Sequence, residues 1–340
     1  MITAALAFAL LAAQLAVPSG TVVRVGHCPN VTHPQGLIGH ALSREGRGWF
    51  EARLGPDVRV EWYVLNAGPS AMEAIFAGSL DLAYVGPSPT ILAHARSRGK
   101  EPRVVAGACN GGAALVVRSG DGIARDEDFR GRSVATPQLG NTQDVAARAF
   151  FRSRGFRVTL TGGDVRVIPV ANPDQVALFR KGDVDAAFTV EPWVTRLLLE
   201  AEGRIHLEEK SLWPETGGRY VTTHLVSSSA FLREKRALAE RFVEAHVDLT
   251  RWILMNPSEA KRLAAGEILA ETGRRLSDAV LDGAWSRIEP THDPVCASLL
   301  RSAEAAHGLG LLKKKPDLAS LYDLSLLNGV LRRKGLAEVR

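Results

Sequence analysis

The first third of the chain repeats one pattern, in which a short β-branched run is followed by a polar Gly/Pro loop and then by a segment with helical spacing of apolar residues. The runs lie at residues 21–26, 58–65, 80–85 and 103–108 of the 340 residues. A strand that continues through a crossover helix into the next strand favours a parallel sheet covered by helices. The sequence therefore predicts a doubly wound α/β protein.

A second series of the same kind occupies the middle of the chain. After a strand at residues 113–118 comes a charged, glycine-containing connection, and new strands and helices begin near residue 132. Residues 220–227 are β-branched and would return the chain, and most of the chain after residue 230 has helical spacing. We expect a first αβ lobe of residues 21–118 and 226–340, a second lobe of residues 119–225, and a helical C-terminal tail packed on the first lobe.

The N-terminal segment is apolar and rich in alanine and leucine over residues 1–16, and Pro18, Ser19 and Gly20 come directly after it. A stretch of this length is too short to span a membrane as a stable helix and is typical of an export signal. No Lys or Arg precedes the apolar core, and Gln14 stands where a small residue is preferred. The prediction is a signal segment within residues 1–20, with a buried first helix as the alternative.

Composition excludes several classes of protein. The net charge of +5 is spread along the chain, which argues against a nucleic-acid-binding surface. The three cysteines, Cys28, Cys109 and Cys296, match no zinc-binding spacing and allow at most one disulfide. Cys28 and Cys109 with two nearby histidines could hold a metal, but a thiol pair is favoured. We therefore predict no metal ligands and no cofactor.

Polar side chains come after each predicted strand of the first lobe. In an open parallel sheet, ligands bind beyond the carboxyl ends of the strands, where these loops gather. Turn formation and helix capping explain any one of the residues alone, but four such loops on one rim indicate a site for a small polar ligand. The residues are His27, Asn30 and His33 in the first loop, Asn66 and Ser70 in the second, Ser88 and Thr90 in the third, and Cys109 and Asn110 in the fourth.

The segment at residues 135–144 joins a strand to a helix in the second lobe. Pro137 and Gly140 end the strand, and Asn141 or Thr142 offers a side-chain oxygen that caps the helix. A helix start carries unpaired N–H groups and about +0.5 of an elementary charge, so a small oxyanion can bind there without a metal or an arginine. An ordinary capped turn is the alternative interpretation.

Several segments share their order and residues with a known family. They are NAGPS at residues 66–70, AGSLDLA at 77–83, VGPSP at 85–89, ATPQLGNTQD at 135–144, GDVDAA at 182–187 and EPW at 191–193. In this order they resemble the solute-binding proteins of ABC importers in the aliphatic-sulfonate, taurine and nitrate family. The resemblance covers residues 22–255 and implies the type II periplasmic-binding-protein fold, in which two αβ lobes close on a ligand at a two-strand hinge.

The resemblance also implies a function. A protein of this kind would be a periplasmic monomer that captures a small organosulfonate, such as taurine or an alkanesulfonate, and delivers it to the transmembrane subunits of an ABC permease. Several neutral donors suit a sulfonate, which is a weak acceptor of low charge with three oxygens. No enzymatic activity and no cofactor are implied.

The resemblance and the strand-end loops together predict which residues bind the ligand. Trp193 could cover an alkyl or aryl tail or pack in the core, and Glu191 could pair with a ligand amine or cap its own helix. The predicted ligand-binding residues are Asn30, His33, Asn66, Ser70, Ser88 and Cys109 from the first lobe, and Gly140, Asn141, Thr142, Gln143, Glu191 and Trp193 from the second.

An enzyme on the same fold is the first alternative. Sulfinate desulfinases resemble this family and place a nucleophilic cysteine just after the first strand, where Cys28 lies here. Those enzymes also use an Arg-containing Gly-Gly loop with a His, whereas residues 66–88 contain neither Arg nor His. Without a base and a cation, a thiol is a poor nucleophile, so the binding protein is favoured.

Other ligands are the second alternative. Nitrate or bicarbonate would need a smaller and more charged pocket. A thiamine pyrimidine precursor would need aromatic stacking, and aromatic residues make up only 6% of the chain, with few at predicted strand ends apart from Trp193.

Overall fold

Two β-sheets organise the computed structural model of the chain, which describes residues 20–159, 161–315 and 317–339. The predicted signal segment lies outside these residues except for Gly20. The described strands are β1 (Thr21–His27), β2 (Val58–Val64), β3 (Leu82–Val85), β4 (Arg103–Gly111), β5 (Ala113–Arg118), β6 (Ser133–Thr136), β7 (Arg166–Pro169), β8 (Ala186–Val190), β9 (Gly203–Glu208), β10 (Val221–Ser227) and β11 (Ile288–Pro290).

Helices connect these strands and make up most of the C-terminal third. The described α-helices are α1 (Pro34–Arg44), α2 (Glu51–Leu54), α3 (Gly68–Phe76), α4 (Pro87–Arg96), α5 (Thr142–Ser153), α6 (Asn172–Lys181), α7 (Trp193–Glu200), α8 (Ser229–Glu234), α9 (Arg236–Met255), α10 (Pro257–Thr272), α11 (Asp278–Trp285), α12 (Cys296–Gly308) and α13 (Ser325–Arg333). Within the described ranges, no helix is both long enough and apolar enough to cross a membrane.

The first sheet has the strand order β11-β4-β10-β3-β1-β2, and the second has the order β7-β6-β8-β5-β9. In the first sheet β1 is parallel to β2 and β3, while β10 runs antiparallel between β3 and β4. In the second, β6 is parallel to β7 and β8, while β5 is antiparallel to β8 and β9. Each sheet is thus built on parallel strands, as predicted, with an antiparallel strand where the chain arrives from the other lobe.

The crossings between the lobes lie at other residues than the sequence predicted. Strand β5 belongs to the second sheet and β10 to the first, so the lobes do not divide at residues 118 and 225. The first crossing is at Gly111 and Gly112, whose φ angles of 75° and 79° are accessible to glycine without strain. The second lies between β9 and β10. Sequence spacing predicted that both segments are β-strands. It could not predict which sheet each strand joins, because the strands that pair with them lie far away in the chain.

Each lobe has its own apolar core. In the first lobe, side chains of β1, β3, β4 and β10 pack with helices α1, α9, α10, α11 and α13, so the C-terminal helices cover this lobe as expected. In the second, β5, β6 and β8 pack with α5, α6 and α7. Helix α12 also touches the second lobe, since Leu299 and Ala303 share an apolar cluster with Val145 of α5.

The sequence missed some element boundaries. The helical spacing after residue 230 does not reveal the break at Lys235 between α8 and α9, nor that the last described helix begins at Ser325. Strands β9 and β11 were not predicted. Both are edge strands, and β9 is half-buried along its whole length, so neither shows the continuous apolar run of a central strand.

Candidate anion-binding site

A small polar cavity of about 30 Å³ lies between the two lobes. It has room for about two water molecules, so the lobes are close together around it. Among the described residues, no Asp, Glu, Lys or Arg lines it. The lining residues are Cys28, Asn30, Thr32, His33, Asn66, Ala67, Gly68, Gly86, Pro137, Asn141, Thr142, Gln143, Asn172, Val190 and Thr222.

Five helices begin at this cavity. The N-cap residues His33 of α1, Ala67 of α3, Gly86 of α4 and Asn141 of α5 all line it, as does Asn172, the first residue of α6. Each helix start contributes unpaired N–H groups and a partial positive charge. Because helix starts from both lobes meet there without a charged side chain, the cavity is electrostatically suited to a small anion.

The second-lobe helix start is held by a buried ion pair. Gly140 has a φ of 75°, and its N–H donates to Asp144 Oδ2 at 3.0 Å. The other oxygen of Asp144 accepts from Thr136 Oγ1 at 3.1 Å and from Arg148 Nε at 3.0 Å. Arg148 in turn donates to the carbonyl of Val167 at 2.9 Å. These contacts fix the turn between β6 and α5 and thereby orient the cap residue at the start of α5.

Two second-lobe side chains have their oxygen atoms occupied by the protein. Asn141 Oδ1 accepts from the N–H of Gln143 at 2.9 Å, as an N-cap does. Thr142 Oγ1 accepts from the N–H of Ser88 at 3.4 Å. The Nδ2–H groups of Asn141 and the O–H of Thr142 are then the groups able to donate to a ligand.

The loop after β1 supplies a neutral imidazole. The N–H of Cys28 donates to His33 Nδ1 at 3.3 Å, which places the ring proton on Nε2. Burial, together with the nearby His27, lowers the pKa of His33 to about 3. His33 is therefore a neutral donor at physiological pH, in keeping with the absence of charge elsewhere in the lining.

Burial has the opposite effect on the pKa of the thiol at the start of this loop. Burial and the nearby carboxylate of Glu271 raise the pKa of Cys28 to about 12, so the residue lines the cavity as a neutral thiol.

Contacts across the cleft hold the lobes together. Trp193 Nε1, in the second lobe, donates to Asn30 Oδ1 of the first at 2.8 Å. Glu191 Oε1 lies 2.6 Å from Arg287 Nε and also accepts from Thr195 Oγ1 at 2.9 Å. Burial raises the pKa of Glu191, an effect that these partners oppose. The polar atoms of Trp193 and Glu191 are thus used in protein contacts.

The structure brings together half of the residues predicted to bind the ligand. Asn30, His33, Asn66, Asn141, Thr142 and Gln143 line the cavity, and Ser70, Ser88, Cys109, Gly140, Glu191 and Trp193 do not. Cys109 is fully buried within β4, and Ser88 instead lines a neighbouring cavity.

Sequence reasoning missed three polar residues of the lining, Thr32, Asn172 and Thr222. Asn172 comes after β7 and opens α6, and its Oδ1 accepts from Thr189 Oγ1 at 3.3 Å. An asparagine before a proline at a strand end was a signal that could have identified it. Thr222 lies in β10 and gave no comparable signal, because only the crossing of the chain between the lobes brings it to the cleft.

Gly86 is expected to be needed for closure of the lobes. A Cβ at this position would overlap Thr142 Oγ1 across the cleft, although the φ of −72° suits alanine. We expect Gly86→Ala to weaken ligand binding by about tenfold or more, since overpacking costs about 1–3 kcal/mol. Calorimetric titration would measure the affinity.

The matched control for this prediction is Gly266→Ala on α10, where a Cβ would meet no atom of the described ranges within 4 Å. Unchanged affinity in Gly86→Ala would show that the ligand does not require the close approach of Gly86 and Thr142.

Comparisons with known proteins agree with this architecture. The chain is 27% identical over 299 residues to a protein of Escherichia coli (strain K12) named as an aliphatic sulfonates-binding protein, covering 85% of this chain and 86% of that one. The model of the NMT1-like family matches residues 18–269.

Two solved structures share the fold. The alkanesulfonate-binding protein SsuA from Xanthomonas axonopodis pv. citri, bound to MOPS, aligns with a TM-score of 0.72 at 18% identity, over 89% of this chain and 98% of that one. The desulfurization enzyme DSZB aligns with a TM-score of 0.62 at 19% identity, over 92% and 99%. The predicted two-lobed periplasmic-binding-protein fold is thereby confirmed.

Proposed function

Because the chain belongs to the NMT1-like family, we propose that it is a solute-binding protein that captures a small organosulfonate or related oxyanion between its lobes. Its partner would be the permease of an ABC importer, to which it delivers the ligand as a periplasmic monomer. The observation that carries the proposal is the meeting of five helix starts at a cavity that no charged side chain of the described residues lines. The similarity to sulfonate-binding proteins supports it.

The donors fit a sulfonate head. Asn141, Thr142 and His33 present N–H and O–H groups, and the helix starts add backbone N–H groups from both lobes. Only the closed arrangement offers both sets of donors, so the ligand favours closure by its differential contacts with the closed state. A permease could then distinguish the loaded protein from the empty one.

A second cavity favours a ligand with an apolar tail over nitrate. It has a volume of about 290 Å³, and Thr142 lines both cavities. Much of its lining is apolar, with Val145, Ala149, Phe150 and Ala305 among the contributors. An alkyl chain placed there would gain about 0.8 kcal/mol for each buried CH₂ group. Nitrate has no group that would use this space.

An enzymatic role for Cys28 is the alternative that the fold shared with the desulfurization enzyme raises. In the part of the chain that the structure describes, no Lys or Arg lines the cavity to stabilise a thiolate, and the cysteine is buried. We expect Cys28→Ser to bind sulfonates within a few-fold of the original affinity, as measured by calorimetry.

The same preparations would be assayed for sulfite release from sulfonates and sulfinates. Turnover that disappears in Cys28→Ser would favour the enzyme and contradict the proposal.

A ligand screen tests the proposed function directly. The purified chain would be heated with taurine, C2 to C8 alkanesulfonates, aryl sulfonates, nitrate, bicarbonate and thiamine precursors. A ligand at a hundred times its Kd adds about 2.7 kcal/mol of stability, which a thermal shift detects. We expect stoichiometric binding of alkanesulfonates with affinity that rises with chain length. Stabilisation by nitrate alone would overturn the assignment of the apolar cavity, and no stabilisation by any oxyanion would overturn the proposed function.

A further inference from the structure

A cluster of two histidines and a glutamate lies behind the first binding loop, outside the cavity. His27 ends β1, His40 lies on α1, and Glu271 lies on α10. Three atoms converge: His27 Nε2 is 3.1 Å from His40 Nδ1, which is 2.9 Å from Glu271 Oε1, and this oxygen is 3.3 Å from His27 Nε2. The three atoms, each of which can act as a metal ligand, therefore form a nearly equilateral triangle.

This triangle has the dimensions of a metal site. Zn²⁺ binds His nitrogen and carboxylate oxygen at about 2.0–2.1 Å, which in a tetrahedron separates neighbouring ligand atoms by roughly 3.3 Å. The observed separations of 2.9–3.3 Å are close to that value. Two histidines and one glutamate form a ligand set that Zn²⁺ accepts, with one tetrahedral position left for water.

The surroundings orient the ligand atoms. His27 Nδ1 lies 3.2 Å from the carbonyl of Cys28, so this nitrogen carries the proton and the Nε2 lone pair points into the triangle. The His40 ring is stacked on Trp62 with 5.6 Å between centroids and 14° between planes. A backbone carbonyl behind the second ring nitrogen is a support that metal-binding histidines use. Packing on Trp62 holds the plane of the His40 ring.

Two buried carboxylates face the triangle, and one of them also pairs with an arginine. Glu267 and Glu271, one turn apart on α10, have side chains only 1% and 2% exposed, and His40 Nδ1 lies 2.9 Å from each. Arg44 pairs with Glu267 at 2.7 Å and also lies 3.3 Å from His40 Nε2. Glu271 Oε2 is buried without a hydrogen-bond partner among the described residues. A buried carboxylate is costly unless it is paired or binds a metal.

We propose that His27, His40 and Glu271 bind a divalent transition-metal ion of the Zn²⁺ type. The ion would join β1, α1 and α10 and so hold a C-terminal helix against the first lobe. The site is separate from the anion-binding cavity, and its existence does not depend on the proposed function. His27 and His40 are 13 residues apart in the chain, and His40 and Glu271 are 231 residues apart, so the ligands form no local sequence motif.

Cobalt titration tests the site on the full chain. The protein would be treated with a chelator, dialysed and titrated with CoCl₂, because Co²⁺ in a tetrahedral N/O site gives intense visible absorption. We expect one Co²⁺ per chain, displacement by Zn²⁺, and a higher melting temperature with either metal. The absence of binding at tenfold excess of Co²⁺ would overturn the proposal.

Variants locate the ion. Glu271→Gln and His40→Gln are expected to weaken Co²⁺ binding more than tenfold. The control is His206→Gln in the second lobe, which removes a histidine whose Nε2 lies 2.7 Å from Asp126 and should bind Co²⁺ normally.

Circular dichroism would show whether each variant is folded. His40 is 14% exposed, so its variant keeps the test valid if Glu271→Gln does not fold. Normal Co²⁺ affinity in a folded His40→Gln, or an equal loss in His206→Gln, would contradict the assignment.

Discussion

Replacing Asp144 by asparagine is expected to lower the free energy of unfolding by about 3–5 kcal/mol, the usual effect of removing one partner of a buried ion pair. Asp144 and Arg148 are 0% and 1% exposed in their side chains, and their N···O distance is 3.0 Å. The substitution leaves the guanidinium of Arg148 buried without its counter-charge and weakens the acceptor that holds the N–H of Gly140. Urea denaturation followed by circular dichroism would measure the loss.

The matched control is Glu259→Gln, which makes the same change from carboxylate to amide in an exposed pair with Arg262. Exposed pairs contribute about 0–1 kcal/mol, so this variant should unfold almost like the original chain. Similar losses in both variants would mean that burial does not determine the contribution of the Asp144 pair.

The second large effect concerns binding. We expect Asn141→Ala combined with Thr142→Ala to weaken sulfonate affinity by about 3 kcal/mol or more, since hydrogen bonds to charged groups contribute about 1.5–3 kcal/mol each. That loss corresponds to roughly a hundredfold or greater increase in Kd. The alkanesulfonate that stabilises the original chain most would be titrated by calorimetry.

The control is the double variant Asn256→Ala with Thr272→Ala. It changes the same residue types at the two ends of α10, far from the cleft. Loss of the Asn141 cap should itself cost about 1 kcal/mol of stability, so unfolding would be measured in both variants. A folded Asn141→Ala, Thr142→Ala variant with unchanged affinity would remove the α5 helix start from the binding site.

The α5 start shows how much local sequence can predict. Gly140 and Asn141 were expected to end a strand and cap a helix, and the structure has the glycine at positive φ and the Asn141 cap accepting from Gln143. Such features are local, because a cap or a turn is formed by residues a few positions apart. The resemblance then supplied the expectation that two such lobes close on a ligand.

Trp193 and Glu191 show what local sequence does not predict, namely which groups a side chain contacts. Both come after β8 and were predicted to contact the ligand, with core packing of Trp193 and capping by Glu191 as the alternatives. Their polar atoms contact Asn30, Thr195 and Arg287. Arg287 lies 96 positions after Glu191 and comes from the first lobe, so no local pattern contains this pairing. The orientation of a side chain at a strand end depends on what the opposite lobe places in front of it.

The sequence by itself determined the αβ repeats and the helix starts rich in N–H donors, because periodicity, turn chemistry and capping act over a few residues. The family of the fold came from the resemblance of its segments to known proteins. Only the tertiary structure showed that β5 belongs to the second lobe and β10 to the first, and that five helix starts surround one cavity. The same is true of the convergence of the His27, His40 and Glu271 side chains. These features depend on packing between elements far apart in the chain. A contact such as that between His40 and Glu271, which are 231 residues apart, produces no pattern in the intervening sequence.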